Sequence, residues 1–226
     1  MDFIFLLIMA VVPGLALALY INFKDPKETK PLGILFQSVL WGVLSFVISI
    51  LLGILLHNIS EIEPKNLADQ MIRALIFVGF VEEGSKFLFI RGILFRSKHF
   101  YKPFDGIVFS VMVGMGFATA ENIVYVLNGD GGTAIVRMFT AVPAHAIFGV
   151  IMGYFIGEAK VFKSSSGLFS FMGLFFASFA HGYYDFFLFL SFIPGIWLQA
   201  IISLFIIVII THYIFRIRKD EIINPD

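Results

Sequence analysis

The chain has 226 residues, 59% of them hydrophobic and only 14% charged, with 29 Phe and a mean hydropathy of +0.93. That composition excludes an ordinary soluble domain and points to an integral membrane protein. Sixteen basic and sixteen acidic residues cancel, so nothing suggests a nucleic-acid surface; the absence of Cys excludes disulfides, thiolate metal sites, cysteine nucleophiles and S-palmitoylation.

The first apolar run is Phe3 to Phe23. It starts Met-Asp, without the basic segment of a signal peptide, and its length predicts an uncleaved transmembrane helix. A short basic linker, Lys24 to Pro31, follows; its prolines stop and restart helices. Leu32 to Leu56 is the second run, and His57 to Asp69 an acid-leaning loop with Glu61, Glu63 and Asp69 against Lys65.

The third run, about Ala74 to Phe95, holds Glu82, Glu83 and Lys86 in apolar surroundings. It is long enough to cross a bilayer at ~1.5 Å per residue. Each charge near the hydrocarbon centre costs at least ~2.5–3.5 kcal/mol, so three together need a reason. On a helix Lys86 is i+4 from Glu82 and i+3 from Glu83, so its ammonium can reach either carboxylate. The two carboxylates diverge by about 100° and cannot be paired equally. They should therefore differ in how readily they hold a proton, which acid/base chemistry needs.

Arg91, Arg96, Lys98 and Lys102 close that run. Phe104 to Leu127 is the fourth, with Asp105 at its start and Glu121-Asn122 near its end, after the small-residue stretch Gly114 to Ala120 that permits close helix contact. Asn128 to Gly132 is a turn by composition. Ala134 to Gly157 is the fifth, containing Arg137, Pro143, His145 and the Gly149, Gly153, Gly157 ladder expected to pack against a neighbour. Leu168 to Leu190, the sixth, carries His181 and Asp185 one turn apart, so Asp185 can orient the imidazole. Ile193-Pro194-Gly195 separates it from the seventh, Ile196 to Phe215. No fixed period links the runs, so this is not a repeat array.

Twelve Lys and Arg fall on the side of the first linker, the loops after runs three and five, and the tail. The other side has Lys65, Arg73 and Arg137, and Lys86 lies within a helix. This predicts seven spans with the N-terminus outside and the C-terminus cytoplasmic. Glu82 and Glu83 then lie roughly 12–15 Å below the outer end of their helix. Glu121 is about 10 Å from the outer face, and His145 and His181 are near mid-depth. The polar residues converge on the outer half of the membrane.

Taken singly, each group also has a structural reading: an ion pair locking the bundle, a local His181–Asp185 pair, a helix-end Glu121, an interhelical hydrogen bond from His145. The familiar nucleophile elbow, zinc-helix, P-loop and dinucleotide motifs are absent. What remains is carboxylate plus imidazole. Peptide hydrolysis needs a base for water, an acid for the leaving amine and a donor for the oxyanion, and these residues can supply them.

Glu82-Glu83-x-x-Lys86, Phe117-x-x-x-Glu121-Asn122, His145 and His181-x-x-x-Asp185, in this order on successive runs, resemble the PrsW family of bacterial intramembrane proteases, relatives of the CAAX-processing (Abi) proteases. The CAAX relatives typically show Glu-Glu-x-x-x-Arg, Phe-x-x-x-His and His-x-x-x-Asn/Asp. Here the first motif is shorter and ends in Lys86, and the second ends in Glu121. Prenyl-protein processing is accordingly not expected. The resemblance covers runs three to six. It implies site-1 cleavage of a membrane-anchored anti-sigma factor on the extracytoplasmic side of a bacterial cell membrane, beginning regulated proteolysis.

The reading reached is a single all-α integral membrane domain, 1–226, whose catalytic helices span about 74–190. It acts as a glutamate-dependent endopeptidase on a membrane-anchored protein, without nucleic acid. Glu82 and Glu83 activate water, Lys86 tunes them and His181 polarises the water or oxyanion. Asp185 orients His181, and Glu121 and His145 complete the polar cavity. No cofactor is expected. A zinc-dependent variant would use Glu121, His145 and His181 as ligands. The rival readings are a proton-coupled transporter, whose inverted repeat of broken helices is not seen, and a non-catalytic scaffold binding a partner helix.

Overall fold

The structure, a computed structural model, describes residues 3–24, 29–60, 66–128, 131–190, 195, 198–202, 204–209 and 212–213. Residues 25–28 of the first linker, Glu61 to Lys65 of the second loop and 129–130 of the glycine-rich turn lie outside the described residues. So do the Ile193-Pro194 break, parts of the seventh run and the tail from Ile214 onward.

Among the described residues the chain is helical throughout, with no strand. The helices are α1 (Phe3–Phe23), α2 (Leu32–Ser60), α3 (Leu67–Ile72), a π-helical segment (Arg73–Phe80), α4 (Val81–Gly92), α5 (Pro103–Leu127), α6 (Gly131–Phe139), α7 (Ala141–Val161) and α8 (Ser166–Phe189). Among the described residues four stretches are long and apolar enough to cross a membrane: Ile4–Phe23, Leu32–Asn58, Pro103–Leu127 and Ile135–Val161. The expected seven spans are thus matched by four that meet this test. The runs holding Glu82-Glu83 and His181-Asp185 are helical, but their own polar residues dilute their apolar character, and the seventh run is described only in part.

Two of the four spans form the centre and two the periphery. The apolar windows of α5 and α7 are 72% and 61% buried, against 17% and 22% for α1 and α2, whose large hydrophobic side chains face outward as lipid-facing ones do. Every residue from Phe104 to Ala118 is buried. Such burial on all sides requires close neighbours, and small residues provide them. A Cβ on Gly153 or Gly157 of α7 would run into the backbone of Gly106 and Pro103 on α5. The Gly149-Gly153-Gly157 ladder is therefore a seam where two helix backbones touch.

One end of the bundle is tied by a buried ion pair. Lys30 Nζ lies 2.8 Å from Asp105 Oδ1, both side chains about 1% exposed or less. Asp105 Oδ2 accepts from the backbone N–H groups of Tyr101 and Lys102 at 2.9 and 3.0 Å, and Asn22 Oδ1 accepts from Lys30 N at 2.9 Å. Paired and hydrogen-bonded in this way, the charges link the α1–α2 connection to the first turn of α5.

The third run is not one α-helix. It comprises α3, the π-helical segment and α4, followed by a 3₁₀ turn at Leu94–Arg96. The π-helical segment meets α8 backbone to backbone: a Cβ on Gly79 would lie 2.6 Å from Ser178 O, and one on Gly182 2.6 Å from Leu75 Cα. That contact sets α4's first turn, with Glu82 and Glu83, beside His181.

Candidate active site

The two adjacent carboxylates of α4 diverge as helix geometry requires. Glu83 is 1% exposed and turns into the bundle, whereas the Glu82 side chain keeps 18% exposure and faces a cavity. Lys86 takes the i+3 partner: its Nζ donates to Glu83 Oε1 at 2.6 Å. The same ammonium is 3.1 Å from His145 Nδ1 on α7 and 4.0 Å from the centre of the Phe117 ring on α5. One cation thus joins three helices, its charge met by a carboxylate and a π face.

From there the polar contacts run in two directions. His181 on α8 places Nδ1 2.8 Å from Glu83 Oε1 and Nε2 3.2 Å from Asp185 Oδ2, with Glu82 Oε2 3.7 Å away. The i, i+4 contact read between His181 and Asp185 is present, but at Nε2, while Glu83 holds Nδ1. On the other side His145 Nε2 is 3.1 Å from Glu121 Oε2, and Arg137 Nη2 is 2.5 Å from that oxygen. Stacking on Phe148, at 4.7 Å and 18° between rings, fixes the plane of His181; His145 stands edge-on to it at 5.1 Å.

A cavity of about 340 Å³ opens beside this network. Glu82, Glu121, Arg137, His145, His181 and Asp185 line it; Glu83 and Lys86 sit behind the wall. All seven residues singled out in the sequence are gathered here, five in the wall and two sealed behind it. Arg137 was missed. The charge count uses it only as a marker of the outer side; it lies in the last turn of the short helix α6 and folds onto α5. The readable signal was a lone carboxylate, Glu121, at the same membrane depth without a cation of its own.

The donors suit a metal ion. One ligand atom each from Glu82, His145 and His181 lie within 4.8 Å of one another. Glu82 Oε2 is a buried acceptor with no hydrogen-bond partner among the described residues. Each imidazole has a carboxylate on one ring nitrogen, Glu83 on His181 Nδ1 and Glu121 on His145 Nε2; on His181 this turns Nε2 toward Glu82, as in metal-binding histidines, whereas His145 Nδ1 meets the Lys86 ammonium. Two imidazoles and a carboxylate are a donor set that zinc takes. The ligand set expected from sequence changes in one member: Glu121 pairs with His145 and Arg137, and Glu82 joins the imidazoles in its place. Of Glu82, His145 and His181, His145 is the one that also meets a cation among the described residues, its Nδ1 lying 3.1 Å from Lys86 Nζ.

Comparison with known proteins gives a consistent result. A family described as "PrsW family intramembrane metalloprotease" matches residues 30–213. Curated relatives carry the name Protease PrsW. That of Geobacillus kaustophilus is 34% identical over 175 residues, 77% of this chain and 76% of its own. That of Clostridioides difficile is 33% identical over 223 residues, 96% and 90% of the two chains. That of Bacillus subtilis is 32% identical over 181 residues, 79% and 80%. No solved structure gives a significant match.

Proposed function

The chain belongs to the PrsW family of intramembrane proteases, and we propose that it hydrolyses a peptide bond of a membrane-anchored protein in the cavity between α4, α5, α7 and α8. The observation that carries this reading is Glu82. A carboxylate oxygen with no hydrogen-bond partner among the described residues, beside His181 Nε2 and inside an apolar bundle, is costly as pure structure and useful as a reacting group.

Glu82, His145 and His181 would hold the ion that the family's description implies, and a bound zinc supplies Lewis-acid activation of water. The rest of the chemistry belongs to the chain. Glu83 accepts from His181 Nδ1 and so keeps Nε2 aimed at the cavity. On His145, Glu121 meets Nε2 and the Lys86 ammonium meets Nδ1, which together fix the ring. Lys86 holds Glu83 and His145 at a fixed separation. Asp185, which lines the cavity and is not needed to hold Nδ1, takes the proton of the attacking water and returns it to the leaving amine.

Purified protein is expected to carry about one zinc per chain, with chelation abolishing cleavage of a co-reconstituted single-span protein and zinc restoring it. Elemental analysis and a cleavage assay check this. Cleavage that persists in metal-free protein would return the mechanism to the Glu82–Glu83 water-activating pair read from sequence. Transport or partner binding with no cleavage would favour the rival readings.

We further propose seven spans in a bacterial cell membrane, N-terminus outside, with an anti-sigma factor as substrate cut on the extracytoplasmic side. Two observations support the sidedness. Lys30 pairs with Asp105, and Lys160 Nζ donates to Phe95 O at 2.7 Å, so basic residues gather around the start of α5. Glu121 and the cavity lie sixteen residues further along α5, roughly 24 Å away at helical rise. Reporter fusions after Lys30, Asn128 and Asp226 are expected to read inside, outside and inside; an outside signal from the last would refute the orientation.

A further inference from the structure

We propose that Arg137 is the oxyanion donor of this site: the side chain that receives the carbonyl oxygen of the scissile bond as it gains negative charge. The assignment rests on the peptidase reading above. When water attacks a peptide carbonyl, its oxygen bonds to the carbon and its proton passes to Asp185. The carbonyl π pair moves onto the carbonyl oxygen. The oxyanion's pair then re-forms the carbonyl as the C–N bond breaks; the C–N pair goes to nitrogen, and that nitrogen takes the proton back from Asp185, leaving a carboxylic acid and an amine. In the intermediate a negative oxygen sits in a cavity already walled by Glu82, Glu121 and Asp185. With Asp185 protonated at this stage, the carboxylates of Glu82 and Glu121 still raise the energy of this oxygen unless a cation faces it.

Arg137 is the lysine or arginine among the described residues that lines this cavity. Lys86 cannot serve: it is 2% exposed, behind the wall, with its ammonium held between Glu83, His145 and the Phe117 ring. The Arg137 guanidinium is already fixed in space. Nη2 is on Glu121 Oε2, Nε donates to Asn122 Oδ1 at 3.1 Å, and its face lies 4.3 Å from the centre of the Tyr125 ring. Nε and Nη2 are anchored and Tyr125 sets the plane, so these contacts engage two of the five guanidinium N–H groups of a side chain that lines the cavity. A planar fork held this way offers its remaining N–H groups without reorganising as charge develops.

The test compares wild type, Arg137→Gln and Arg137→Lys in lipid vesicles, per unit of folded protein. The substrate is a tagged single-span protein that the wild type cleaves. Two peptides of its cleaved sequence serve as ligands: a phosphinate, tetrahedral and anionic like the intermediate, and a reduced amide lacking the carbonyl oxygen. Arg137→Gln is expected to lower kcat by ~10²–10³ with little change in KM, the scale for losing one oxyanion donor. It is expected to weaken phosphinate binding by a similar factor and to leave reduced-amide binding as it was. Arg137→Lys, which keeps the charge beside Glu121 but not the fork, should fall between the two and decides the matter if the Gln variant does not fold. If Arg137 only braced α6 and Glu121, both peptides would lose affinity equally; that result, or undiminished phosphinate binding in either folded variant, overturns the proposal. A wild type that cleaves nothing and binds no phosphinate removes the peptidase reading, and this assignment with it.

Discussion

Glu82→Gln is expected to yield folded protein that has lost its activity and its metal, whereas Glu83→Gln is expected to lose the fold. The two residues are neighbours in the chain but not in their environments. Glu82 Oε2 has no hydrogen-bond partner among the described residues and faces the cavity, so replacing it breaks no described hydrogen bond. Cleavage should fall by more than about 10²-fold, the scale for losing a participating carboxyl. Zinc content should fall with it, since Glu82 is the oxygen donor beside His145 and His181. Glu83 instead neutralises Lys86, which is 2% exposed, and accepts from His181 Nδ1. Removing one partner of a buried pair leaves a bare charge and costs about 3–5 kcal/mol. That is a large part of a typical stability of 5–15 kcal/mol. Size-exclusion profiles and thermal melts in detergent, beside cleavage and metal analysis, separate the two outcomes. Adding Lys86→Met to Glu83→Gln removes the stranded cation, and folding should recover. A Glu83→Gln protein as stable as wild type would show that the buried pair does not hold the site together, and normal cleavage by Glu82→Gln would remove that residue from the chemistry.

Asp185→Asn is expected to lower kcat by ~10²–10⁴, the range for losing a positioned acid/base group, while zinc content and KM stay close to wild type. Its position separates two roles that the sequence alone could not. If Asp185 held the imidazole in place, replacing it would disturb His181 and metal retention would fall along with activity. In the structure Glu83 meets Nδ1 and Phe148 stacks on the ring, while Asp185 lies 3.2 Å from Nε2 and lines the cavity. His181→Ala should therefore lose both metal and cleavage, and the double variant should be little worse than His181→Ala. Near-normal kcat in folded Asp185→Asn would eliminate it as the proton carrier; loss of zinc in the same variant would restore the orienting role.

Much of this protein is legible without coordinates. Apolar composition and run length are local quantities, and they yield a helical membrane protein, the limits of α1 to the residue, and the bounds of α5 and α8 to within two residues. Helical spacing is local too, so the Glu83–Lys86 and His181–Asp185 contacts follow from i+3 and i+4 counting. The ordered motifs carried the family resemblance, which the match over residues 30–213 bears out. What spacing along one helix cannot specify is the rotation of that helix against another. That rotation comes from side-chain and backbone packing: the Gly79–Gly182 contact turns the π-helical segment onto α8, and the Gly149-Gly153-Gly157 seam sets α7 against α5. These contacts choose Glu82 rather than Glu121 as the carboxylate beside the two imidazoles. They put Glu83, not Asp185, on His181 Nδ1, and bring Arg137, counted in the sequence only as an outer charge, onto Glu121. Each is a relation between residues far apart in the chain, and a single sequence does not encode it as a pattern that can be counted, because it depends on how whole helices fit.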